Sequence, residues 1–142
     1  SIKNFLDKEI NTSVEKTQIG SFIHSNNGEL FKEKSLIQRS KNLKQTLLEI
    51  SKISKEINSE FYVLIYPWPD TLEYGQSNFN WERYVSDFCK INCTKSINTF
   101  PLFFDYKKEN LFWYKDLYIK EDLHFSEFGN SLIAKEILKV IE

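Results

Sequence analysis

The chain has 142 residues, of which 41% are hydrophobic and 27% charged, and its net charge is −1. That length and apolar content fit one domain with a real core. The near-neutral balance excludes the basic surplus of a nucleic-acid binder and the acidic tail of a disordered chain, and no apolar run reaches the length of a transmembrane helix. Methionine is absent, at position 1 as elsewhere. We therefore expect a processed or excised piece of a longer protein; initiator removal before Ser1 is the alternative.

Residues 1–17 form a weak helix candidate, with Ile2, Phe5, Leu6, Ile10 and Val14 loosely spaced. Residues 18–35 carry Gly20, Asn26, Asn27 and Gly28 and read as loop around the apolar patch Phe22-Ile23. The strongest helix is expected over 36–58. There Leu43, Leu47, Ile50, Ile53 and Ile57 recur at three and four, and Asn58-Ser59 ends the pattern.

Phe61-Tyr62-Val63-Leu64-Ile65-Tyr66 is a continuous β-branched and aromatic run. A run without alternation predicts an interior parallel strand covered on both faces. Pro67-Trp68-Pro69-Asp70 stops it. An amphipathic helix follows over 79–91, with Trp81, Tyr84, Val85 and Phe88 on one side. Ser96-Ile97-Asn98 reads as a second short strand leading into Phe100-Pro101-Leu102-Phe103-Phe104. The last helix spans 127–141, with Leu132, Ile133, Ile137, Leu138 and Ile141 inward and Ser126 as its N-cap.

Cys89 and Cys93 are four apart near the end of the 79–91 helix. Two cysteines facing along one helical turn suit a disulfide badly. Without matching histidines they also suit zinc badly. Buried small hydrophobes are the expected role.

The order helix, strand, helix, strand, loop, helix predicts an α/β fold, three layers with a parallel sheet between helices. Two strands are few for a doubly wound sheet. Either strands lie unrecognised in the first 35 residues, or the rest of the sheet lies outside the chain.

The residues that point to chemistry are Asp122 and His124, just before the last helix. The chain has only two histidines. If the segment is extended, Asp122 alternates to the same side as His124. Its carboxylate can then accept the ring N–H and fix the tautomer, which leaves the other ring nitrogen free as a general base. Gly129, in the first helical turn, would let that helix approach neighbouring backbone closely. The competing reading is a surface loop with an incidental histidine.

Asp122-Leu123-His124-Phe125-Ser126-Glu127-Phe128-Gly129-Asn130, followed by Leu132-Ile133-Ala134, resembles the C-terminal block of SGNH/GDSL hydrolases. Tyr66-Pro67-Trp68-Pro69 after its strand, and the stretch from Trp81 to Pro101, resemble a subgroup associated with surface polysaccharides. The resemblance covers roughly residues 36–142 and is most specific at the C-terminal block. It implies an SGNH- or flavodoxin-like three-layer fold of which this chain is the C-terminal part. It also implies a serine esterase or O-acyltransferase for acylated carbohydrate, with His124 as base and Asp122 as orienter. Two parts of the family's pattern are missing here. There is no Gly-Asp-Ser nucleophile turn, for which Gly20-Ser21 is the nearest imitation, and no Gly-x-Asn-Asp block. Pro67-Trp68-Pro69-Asp70 stands about where that block would fall, which makes Trp68 and Asp70 the candidate substrate-binding residues. The nucleophile is then expected upstream of Ser1, in the N-terminal remainder of the protein.

Aromatic faces suit sugar rings, so Tyr66, Trp68, Trp81, Trp113 and Tyr114 are stacking candidates, with Trp68 placed best and Trp81 better read as core. His24 sits in an Asn-rich loop and reads as solvated rather than as a metal ligand with His124 and Asp122. No metal and no cofactor are expected, since the chain has no Gly-rich phosphate loop. The rival function is a non-catalytic α/β module that binds glycan or a partner protein.

Overall fold

The computed structural model describes residues 33–76, 79–120, 122 and 124–141. The expectations for 1–17, for most of the 18–35 loop, for Gly20-Ser21 and for His24 lie outside the described residues.

The described chain mixes helix and strand. Helix α1 runs Glu33–Glu56, strand β1 Tyr62–Ile65, α2 Pro69–Tyr74 and α3 Trp81–Asn92. Strand β2 follows at Lys95–Asn98, then α4 Phe100–Glu109, α5 Trp113–Leu117 and α6 Glu127–Ile141. Helix α1 thus begins within the stretch read as loop. It ends as the sequence predicts: Asn58 takes a positive φ of 54°. The Ser59 and Asn58 amides then bond back to the Ser54 and Lys55 carbonyls at 2.8 and 3.2 Å. Asparagine tolerates that left-handed position, so it closes the helix in the way glycine commonly does.

Strands β1 and β2 are parallel, with Val63 opposite Ser96 and Ile65 opposite Asn98. Side chains of β1 alternate between faces. Phe61, Val63 and Ile65 pack with Val85, Phe88 and Cys89 of α3 and with Leu47 of α1. Leu64 packs on the other face against the larger cluster of Leu72, Phe103, Trp113, Leu117, Tyr118 and Ile133. Both faces are covered, which explains the unbroken apolar run. Among the described residues the strand pairs only with β2, and its four residues are half-buried.

Three helices depart from the expected loops. Helix α4 replaces the loop that the Phe100–Phe104 run was expected to enter, and Pro101 stands in its first turn, where a missing N–H costs nothing. Pro69 opens α2 in the same way. Helix α5 is five residues long and buries Trp113 and Leu117.

The cysteines also depart from expectation. Cys89 and Cys93 form a disulfide with Cα atoms 4.5 Å apart. The helix stops at Asn92, and Cys93 already has extended geometry (φ −121°, ψ 162°). The pair therefore does not face along one helical turn, and the objection to a bridge lapses.

Candidate functional site around Asp122 and His124

The loop between α5 and α6 is held at both ends. Tyr118 and Phe125 form an antiparallel bridge. The Ile119 amide donates to the His124 carbonyl at 3.0 Å, and the Ser126 amide to the Leu117 carbonyl at 2.9 Å. Within it the Asp122 amide donates to the Ile119 carbonyl at 3.0 Å and closes a turn. That turn brings the two candidate side chains together. His124 Nδ1 lies 2.6 Å from Asp122 Oδ1. The same oxygen accepts the His124 backbone N–H at 3.1 Å. With Oδ1 ionised, Nδ1 is the donor, so the neutral ring has its lone pair on Nε2.

The expected N-cap holds. Ser126 Oγ accepts the Gly129 N–H at 3.0 Å and itself donates to the Asp116 carbonyl. Both roles are structural, so the serine nearest His124 in sequence is committed to capping. Gly129 is buried, and a Cβ there would stand 2.3 Å from the Leu117 carbonyl oxygen. Only glycine lets the first turn of α6 lie this close to the end of α5.

The loop meets the C-terminal end of β1 through Tyr118, which the sequence did not single out, and through Phe125 against Tyr66. The buried Tyr118 phenol donates to the Pro67 carbonyl at 2.7 Å. Its ring stacks on Phe125 with centroids 5.0 Å apart, and Tyr66 meets Phe125 edge-on at the same separation. Burial pushes the Tyr118 phenol well above its ordinary pKa, and the nearby Tyr66 and Asp70 add to the shift. Tyr66 and Pro67 thus meet the base of the loop that carries His124. The sequence signal for Tyr118 is weak, an aromatic just before the Asp-x-His run.

Of the aromatic candidates, Trp68 is 48% exposed and Tyr66 is also open to solvent. Trp113 is buried in the core, and Trp81 packs against Phe79 and Tyr84. Asp70 sits half-buried in the first turn of α2. Among the described residues no hydrogen bond joins His124 to Trp68, Asp70 or any hydroxyl. Its side chain is 83% exposed and, among the described residues, its ring bonds to Asp122. Among them, too, no cluster of three or more His, Cys, Asp or Glu side chains is placed to hold a metal ion, and no helix is long and apolar enough to cross a membrane.

Comparison with protein-family models, with curated proteins and with solved structures found no match to this chain.

Proposed function

We propose that Asp122 and His124 are the base and orienter of an acyl-transfer site, in an SGNH-like serine esterase or O-acyltransferase acting on acylated carbohydrate. The observation that carries this reading is the 2.6 Å contact between His124 Nδ1 and Asp122 Oδ1, which leaves Nε2 facing solvent. Its position supports the reading too, because ligands of parallel α/β sheets bind beyond the carboxyl ends of the strands. The two clusters on either face of β1 fit a three-layer α/β/α sheet.

The chemistry needs a serine from outside the described residues. Its hydroxyl attacks the acyl carbon while His124 Nε2 takes its proton. The bond from acyl carbon to sugar oxygen breaks, and the imidazolium returns the proton to that oxygen. Water, in a hydrolase, or a second hydroxyl, in a transferase, then repeats the sequence on the acyl-enzyme. Asp122 stays ionised and holds the ring. Trp68 and Tyr66 are exposed aromatic faces for the sugar, and Asp70 can accept its hydroxyls.

The second reading, a glycan- or protein-binding module without chemistry, draws on the high exposure of His124 and on the same exposed aromatics. Release of chromophore from a chromogenic acetyl ester separates the two. The 142-residue chain alone is expected to give little or no turnover. Preceded by a segment with a Gly-Asp-Ser turn, it is expected to turn over, and His124→Ala to cost on the order of a million-fold, as loss of a triad member does. Asp122→Asn is expected to cost up to about ten-thousand-fold through the wrong tautomer. No turnover with that segment joined, or turnover indifferent to His124→Ala, would favour the binding module. Robust turnover by the 142-residue chain would point to a nucleophile within it, with Ser21 tested first.

A further inference from the structure

We infer that Lys107 is a positioning residue for Trp68 and Asp70: its ammonium fixes the far end of α2 and so holds both residues in place beside the loop of His124. What those two residues bind rests on the acyl-transfer reading; the positioning is tested without it.

Helix α2 needs fixing from outside. It has six residues, and helices shorter than about 12 residues are marginal in water on their own. Its first turn carries the candidate residues. The Trp68 carbonyl accepts the Leu72 N–H at 3.0 Å, so Trp68 turns with the helix, and Asp70 is the helix's second residue. Pro69 and Leu72 are buried and anchor the inward face. That leaves the C-terminal end, where the last carbonyls of any helix lack a partner within it.

Lys107 meets that end from α4. Its Nζ donates to the Leu72 carbonyl at 2.8 Å, to the Glu73 carbonyl at 3.4 Å and to Glu73 Oε2 at 2.8 Å. An ammonium has three N–H donors, and here three oxygens receive them. The cation stands at the negative end of the helix dipole. It also lies over the Trp113 ring, 5.2 Å from the centroid, where the indole face attracts it. The Lys107 and Glu73 side chains are only 26% and 18% exposed. Water therefore screens this pair less than it screens the open pair of Lys108 and Asp105.

The clamp is continuous with the residues that hold the other end. Trp113 meets the Tyr118 ring edge-on, with centroids 6.3 Å apart. Tyr118 donates to the Pro67 carbonyl and stacks on Phe125, next to His124. One stretch of chain, from Lys107 to Tyr118, thus grips both Pro67 and the last turn of α2 and leads into the His124 loop. Loss of the cation frees one of the two ends.

The test is nuclear magnetic resonance on the 142-residue chain and on Lys107→Met, which keeps the stem and removes the cation. The Leu72 and Gly75 amides bond back to the Trp68 and Thr71 carbonyls. Their exchange is expected to quicken about tenfold to a hundredfold, as loss of hydrogen bonds from a charged group does. The Asn130 amide, in the first turn of α6, is expected to keep its rate. The Trp68 indole resonance is expected to move, while that of Trp81, packed against Phe79 and Tyr84, stays. Lys107→Arg keeps a cation that can stack on the indole and is expected to restore both signals. Unchanged exchange at Leu72 and Gly75 in Lys107→Met would overturn the inference. So would equal quickening at Asn130, which would make Lys107 a general stabiliser, and so would a Trp68 resonance that stays in place while α2 loosens. An arginine variant as loose as the methionine variant would mean that the cation does not hold α2, and would overturn it too. None of these readouts needs turnover, so failure of the ester assay counts against acyl transfer and failure of the exchange experiment against the clamp.

Discussion

Tyr118 donates its phenol to the carbonyl of Pro67, 51 residues earlier in the chain, at 2.7 Å. That bond ties the end of β1 to the loop that carries Asp122 and His124. It also fixes a proton in a buried place, and the consequences can be measured.

Burial holds the Tyr118 phenol well above its ordinary value of 10.0. A group with a raised folded pKa contributes its stability below the unfolded value and loses it as pH rises further. We predict that stability falls above about pH 10 by about 1.4 kcal/mol per pH unit from this group. Denaturant titrations between pH 8 and 11 would show it. Tyr118→Phe should flatten that slope while costing about 1–3 kcal/mol at neutral pH, because the Pro67 carbonyl is left unpaired. An equally steep slope in the variant would place the effect elsewhere.

Gly129→Ala should be strongly destabilising. The added methyl meets the Leu117 carbonyl oxygen at 2.3 Å, and neither backbone can yield without shifting α5 or α6. Overpacking of this kind typically costs about 1–3 kcal/mol or more. The denaturation midpoint measures it. Lys135→Ala, at an exposed position of the same helix, should change the midpoint little.

Much of the scaffold was legible in the sequence, because its signals are periodic or punctuated. The three-four spacing of α1, the amphipathic face of α3, the β-branched run of β1 and the Ser126 cap all appear where residue chemistry puts them. The short helices were not legible. In α4, Phe100, Phe103 and Phe104 carry strand-like propensity, and the helical signal was Pro101 in the first turn, a residue that equally marks the end of a strand. Helix α5 is shorter than two turns and has no period to detect. The Asp122–His124 contact was legible as spacing. Tyr118, which anchors their loop, was not, because its role depends on a carbonyl far away in the chain. The disulfide was missed because the helix end at Asn92 lies between the two cysteines.

Reduction should destabilise the protein modestly. Cys89 and Cys93 are separated by four positions. The chain-entropy relation for so short a loop gives roughly 2 kcal/mol. The denaturation midpoint should drop on adding a thiol reductant, and Cys93→Ser should show the lowered midpoint with no further response to reductant. A midpoint indifferent to reductant in the parent chain would mean the thiols are not bridged.

We predict that Asp122 fixes His124 with its proton on Nδ1 and a free lone pair on Nε2. Nitrogen-15 chemical shifts of the His124 ring, recorded where the imidazole is neutral, test it most directly. The predicted spectrum shows Nδ1 in the protonated, pyrrole-like range and Nε2 in the pyridine-like range, with Asp122→Asn driving the ring toward the opposite tautomer. A ring protonated on Nε2, or one that samples both tautomers and ignores Asp122→Asn, would mean that Asp122 does not orient His124.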